Sequence, residues 1–356
     1  MQEVKHKRNY NYDIIRVIAI SLVVICHSVE MVYFENSNVS VQYNLFYILC
    51  HSISRLGVPL FLYLTGTLLL NKKFETNNDI KKFYKHNFLT LIIVCEIWYM
   101  CYYLLDMFVF EKTLYFKEFI QIVMFLKPYP LSHAWYLPMI IGIYLTIPFI
   151  SILVNKYSKA IKYIMYINIF YVFIVPFINI VLELLKVDYQ LINAFNMPFG
   201  GGCYGIYLLI GYYISQRYNN EKGSKKWNNY LLILIFALTF AFNIFVRYKL
   251  NCDSWYNSLT VLVCSYCIYV LSLKIKINST IVKKWLEKLS VCSFGVYLIH
   301  KPIINLLNKL NLINNTSYVL PVKVLLYFLL SLIISYILAI IISKFKPLKK
   351  YVLFIK

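Results

Sequence analysis

Ten runs of mostly apolar residues, each near the length that crosses a bilayer, divide this chain almost from end to end. They fall near residues 13–34, 45–70, 88–110, 135–154, 160–182, 200–215, 230–247, 256–273, 290–308 and 319–343. A helix rises about 1.5 Å per residue and the hydrocarbon layer is about 30 Å thick, so roughly 20 apolar residues span it. The composition agrees. Of 356 residues, 60% are apolar and only 14% charged, and the mean hydropathy is +0.64. So little polar surface cannot coat a globule in water, which excludes soluble, disordered and small disulfide-rich classes. The expected class is all-α, a polytopic membrane protein of about ten transmembrane helices. The stretch 115–126 is only half-length, suited to lying at the interface or dipping in. The first run is too long, and too charged at Asp13 and Arg16, to be a cleaved signal peptide.

The gaps between runs set an orientation. Lys and Arg total 36 against 15 Asp and Glu, a net charge of +21. Alternate gaps hold most of the basic residues: the N-terminus with Lys5, Lys7 and Arg8, then the gaps around Lys72–Lys85, Lys156–Lys162, Arg217–Lys226 and Lys274–Lys288, and the tail from Lys344. Between these lie sparse gaps, such as those carrying Lys186 or Lys309. Positively charged loops stay in the cytoplasm, so both termini are expected there. Residues 1–12 then form a basic N-terminus, 13–345 the membrane domain and 346–356 a basic tail. Charge distributed this way is a topology signal that also favours membrane lipids, and it points to no nucleic acid. Of nine cysteines, only Cys264 and Cys267 have C-x-x-C spacing, and they lie mid-run without a partner pair, so no metal site is expected. Cys203 and Cys252 are the one pair with a chance of bonding across an outer face.

Within the runs, ionisable residues are few: Asp13, Arg16, His27, Glu30, His51, Arg55, Glu96, Asp106, His300 and Lys301. Each is costly in hydrocarbon unless it is paired or meets water. Asp13, Glu96 and Asp106, near run ends, read best as structural pairs. Arg16 and His27 are eleven residues apart, about 20° from three whole turns, so they share one helix face roughly 16 Å apart. Glu30 lies one turn beyond His27, in reach to orient its imidazole. In the second run Pro59 leaves the carbonyl of Arg55 without its helical partner, and such a break survives only against protein or a wet cavity. His51, Arg55 and this break therefore mark a polar pocket. His300 and Lys301 reach a similar depth, where Lys301 either snorkels outward beside a kink at Pro302 or meets substrate. Before the fourth run, Tyr129, His133, Trp135 and Tyr136 make either a headgroup belt or a sugar-stacking lip. No nucleotide-binding loop, serine elbow or zinc-protease motif is present.

Arg16-x10-His27 in DIIRVIAISLVVICH resembles the signature of the membrane-bound acyltransferase family 3. So do SRLGVPLFLYLTGTLL (54–69), HAWYLPMIIGIYLTIPF (133–149), LLIGYYIS (208–215) and SFGVYLIHKP (293–302), over roughly residues 10–345. Where many members carry an R-x-x-R pair, this chain has Lys82 and Lys85, which keep the charge but not the planar grip on phosphate. The resemblance implies an O-acyltransferase that moves an acyl group, usually acetyl, from cytoplasmic acetyl-CoA (acyl-CoA) onto hydroxyls of an envelope polysaccharide or lipid-linked sugar. It implies no permanently bound cofactor. An Asn, Lys, Ile and Tyr bias suits an AT-rich bacterial gene and hence a bacterial plasma membrane location.

On that footing Arg16, Lys82 and Lys85 are expected to hold the phosphates of acyl-CoA. His27, oriented by Glu30, is the expected general base, and Arg55 the stabiliser of the oxyanion. His133, Trp135 and His300 are expected at the acceptor. Direct attack and an acyl-His27 intermediate both fit. The alternatives are a succinyl-transferring or exporting relative and a secondary transporter without acyl transfer. Against the transporter, no internal repeat is visible.

Overall fold

A computed structural model describes residues 8–34, 45–112, 115–131, 133–192, 202–220, 228–311 and 319–355. Lys5, Lys7 and Lys226 of the basic gaps lie outside them. Every regular element among the described residues is helical. The first is α1 (Tyr10–Phe34), followed by α2 (Leu45–Ser54) and α3 (Gly57–Leu69). Pro59 does break the second run: the chain turns at Arg55 and Leu56 before α3 resumes. Next come α4 (Asn77–Phe83) and α5 (Leu89–Phe108), joined by a π-helical turn over Tyr84–Phe88. The half-length stretch folds as α6 (Phe116–Val123), too short to span.

The chain continues through α7 (Tyr136–Lys156), α8 (Ser158–Ile169), α9 (Val175–Leu184) and α10 (Gly202–Asn220). It ends with α11 (Asn229–Leu250), α12 (Leu259–Ser272), α13 (Thr280–Leu310), α14 (Leu320–Ser343) and α15 (Lys346–Tyr351). Among the described residues, eight helical stretches are long and apolar enough to cross a membrane. They correspond to eight of the ten apolar runs. The runs at 200–215 and 256–273 fold as α10, which is not one of the eight, and as α12, a shorter apolar helix. Outward faces are apolar as well: Leu234, Leu238 and Phe245 of α11 are 54%, 64% and 48% exposed. Such faces suit lipid rather than water.

Two compact units make up the chain. One comprises residues 1–23, 52–67 and 168–293. Its interior is marked by a close approach of α3 and α10, where small residues let two backbones meet. A Cβ on Gly66 would stand 1.9 Å from the Leu208 carbonyl oxygen, and one on Gly211 would stand 2.1 Å from that of Tyr63. Polar bonds tie the same helices together: Thr67 Oγ1 donates to the Gly211 carbonyl at 2.8 Å and lies 2.7 Å from the Tyr269 hydroxyl. Helix α11 is closed at both ends by asparagine. Asn228 accepts from the Tyr230 amide at 2.9 Å, and Asn251 takes the left-handed conformation at the C-cap.

The second unit comprises residues 24–51, 68–167 and 294–356. Its α4 starts with a reciprocal cap between Thr76 and Asp79. Residues 346–355 pack into this unit: Leu353 is fully buried, and Trp98 Nε1 donates to the Val352 carbonyl at 2.8 Å. Among the nine cysteines none is bonded to another, so Cys203 and Cys252 are free thiols.

Candidate active site

The second half of α1 brings His27 and Glu30 onto one side of the helix because three residues make nearly one turn. His27 Nδ1 lies 2.8 Å from Glu30 Oε2. An ionised carboxylate only accepts, so Nδ1 is the donor in this bond and Nε2 is turned away from Glu30. His51, from α2, approaches the other carboxylate oxygen, with Nε2 3.4 Å from Glu30 Oε1. It is fully buried and stacks on Tyr47, ring centroids 5.1 Å apart. Glu30 is thus shared by two histidines.

Two further histidines close around His27. His300, from the second half of α13, and His133, just before α7, have ring centroids 5.3 and 6.0 Å from that of His27. They stand 5.3 Å from each other. Hydrogen-bond partners assign their protons. His300 Nδ1 meets the carbonyls of Val296 and Tyr297 at 3.1 and 2.7 Å, and carbonyls only accept. The Tyr102 hydroxyl donates to the Leu298 carbonyl at 2.6 Å, which leaves it as the acceptor for His133 Nε2 at 3.1 Å. His133 Nδ1 and His300 Nε2 therefore each carry a lone pair. Both atoms are buried without a hydrogen-bond partner among the described residues. Buried acceptors of this kind are costly unless met, and these two are open to the polar hydrogens of a bound molecule or of water. Burial, with the nearby His300, His27 and Lys301, pushes His133 well below the ordinary imidazole value; Glu30 acts weakly the other way.

The remaining expected residues have clear places. Trp135 is half-buried beside Tyr136, two residues after His133 in the chain. Lys301 is buried at 6% exposure, so the outward-snorkelling alternative does not hold, and α13 continues past Pro302. Lys82 and Lys85 are exposed in α4 and in the π-helical turn. Asp106, expected as a structural pair, accepts from the Tyr129 hydroxyl at 3.0 Å and pairs with Lys112 at 3.1 Å.

Arg16 and Arg55 belong to the first unit. Asp13, almost fully buried, holds Arg8 through Nε at 2.8 Å and Nη2 at 3.0 Å, Arg16 at 3.2 Å and the Ser290 hydroxyl at 2.6 Å. The Arg16 side chain remains 31% exposed. Arg55 lies 3.9 Å from Asp253 and its guanidinium 4.6 Å from the Trp255 ring. Asp253 also pairs with Arg247, which donates to Ser52 at 2.8 Å. Sequence reading missed Tyr102, Tyr297 and Cys26 around the histidines and Asp253 beside Arg55. For Cys26 a signal existed, one turn before Glu30; the others carry no local mark.

Apolar helices of bilayer length define a multi-pass membrane protein, and within it lies a largely buried imidazole–carboxylate pair. The chain belongs to the acyltransferase 3 family, whose model, described as an acyltransferase domain, matches residues 9–342. No curated protein and no solved structure matches it. It is a membrane acyltransferase.

Proposed function

We propose that this protein is an O-acyltransferase of a bacterial plasma membrane that moves acetyl from cytoplasmic acetyl-CoA to a hydroxyl of a cell-surface or lipid-linked polysaccharide. The observation that carries this reading is the His27–Glu30 pair flanked by the unmet acceptors His133 Nδ1 and His300 Nε2. An imidazole held by a carboxylate on Nδ1 is a general base at Nε2. Its neighbours offer acceptors for further hydroxyl hydrogens, and a sugar supplies several on adjacent carbons. Trp135 would give that sugar a flat apolar face.

In this reading His27 takes the proton of the acceptor hydroxyl as its oxygen attacks the thioester carbonyl. Glu30 stabilises the imidazolium that forms. Collapse of the tetrahedral intermediate breaks the carbon–sulfur bond, and His27 returns the proton to the leaving thiolate of coenzyme A. Arg16, Lys82 and Lys85 are assigned to the phosphates of the donor. The family's chemistry and this acceptor-rich histidine cluster together support the choice of acyl group and acceptor.

The test replaces His27 by Ala and follows acyl transfer in purified, correctly inserted protein. Turnover should drop by about 10²–10⁴-fold. Undiminished turnover overturns the assignment. Mass spectrometry of envelope polymers with and without the gene identifies the acceptor, and the absence of any lost acetyl group there overturns the polysaccharide.

A further inference from the structure

Glu30 does more than hold His27. On α1, Cys26 and Glu30 are four residues apart and share a face. Cys26 Sγ lies 3.5 Å from Glu30 Oε1, and His51 Nε2 lies 3.4 Å from the same oxygen. One ligand atom from each of the three residues falls within 4.8 Å of the other two. In a tetrahedral zinc site, with Zn–S near 2.3 Å and Zn–N and Zn–O near 2.1 Å, neighbouring ligand atoms stand about 3.4–3.6 Å apart. Two of the three edges already have that length.

We propose that Cys26, Glu30 and His51 form a zinc-binding site, and that zinc bound there inhibits the enzyme by neutralising the Glu30 carboxylate that serves His27. A thiolate, an imidazole and one carboxylate select a borderline-soft ion over magnesium or calcium. Three protein ligands leave the fourth position to water. Binding releases the thiol proton to solvent, while the His51 proton moves from Nε2 to Nδ1 as Nε2 ligates. The metal occupies Oε1, and Oε2 remains 2.8 Å from His27 Nδ1. A carboxylate neutralised by a dication no longer stabilises an imidazolium, so His27 becomes a poorer base.

The inhibition rests on the proposed role of His27; the binding does not. The experiment therefore measures both, on full-length protein in detergent or nanodiscs. Chelator-stripped wild type is loaded with zinc and desalted, and cobalt(II) is used in parallel as an absorbing substitute. Support is one zinc retained per chain and a thiolate-to-cobalt charge-transfer band, both lost in Cys26→Ser, and retained in Cys292→Ser. A wild type that holds zinc no better than Cys26→Ser, or a band that survives in that variant, overturns the site. Turnover is then read as the ratio with and without zinc within each variant, so a changed baseline does not count. That ratio should fall about ten-fold or more in the wild type and stay near one in Cys26→Ser. A cobalt band without any zinc effect on turnover overturns the inhibitory role alone. Acyl transfer absent from the wild type would overturn the proposed function, while the cobalt band would still decide the site.

Discussion

His27 Nδ1 stands 2.8 Å from Glu30 Oε2, one helical turn further along α1, and His51 reaches the opposite oxygen of the same carboxylate. One acidic group thereby orients the His27 imidazole and ties α1 to α2. Most of the expected consequences of substitution follow from this sharing.

Replacing Glu30 with Gln keeps the size of the side chain but removes the charge that stabilises a protonated His27. Turnover should fall by about 10²-fold with acyl-CoA affinity nearly unchanged. Steady-state kinetics against acyl-CoA concentration separates the two, and a change confined to KM contradicts the role.

Arg16 and Asp13 should part company when mutated. Asp13 is buried and holds Arg8, Arg16 and Ser290, so Asp13→Ala removes several charge-assisted hydrogen bonds and should cost about 1.5–3 kcal/mol of stability. Arg16 is partly exposed and Arg8 would still hold Asp13, so Arg16→Ala should leave the melting temperature within a few degrees while weakening acyl-CoA binding. Thermal unfolding and donor titration, run on both variants, check this.

Acid should loosen the fold through His133. Its folded-state imidazole titrates below the ordinary value of about 6.5, so as pH falls through that value the unfolded chain takes up a proton that the folded one refuses. Stability is therefore full above the ordinary value and declines as pH drops toward the folded one. Melting curves between pH 8 and pH 5 should show that decline, and His133→Asn should make it shallower.

Gly66→Ala and Gly211→Ala each place a methyl group on top of a neighbouring backbone carbonyl. Neither can be relieved by turning a side chain, so each should cost at least about 1–3 kcal/mol. Detergent-resistant yield and melting temperature report the loss; Gly142→Ala, whose Cβ meets nothing within 4 Å, is the control.

Much of this molecule was legible along the chain. Apolar run lengths determined an all-helical membrane protein, Pro59 marked the break at Arg55, and the spacing of His27 and Glu30 announced their pairing, because helix geometry converts sequence separation directly into direction. Runs six and eight were harder, since length and hydropathy near the threshold do not distinguish a spanning helix from a shorter buried one. What only the tertiary structure decided is which distant residues meet. Nothing in the order of residues says that His133 and His300 flank His27, that His51 shares Glu30, or that Asp253 faces Arg55. Those contacts depend on how helices far apart in the chain pack side by side, and packing is settled by the summed fit of many side chains rather than by any local period.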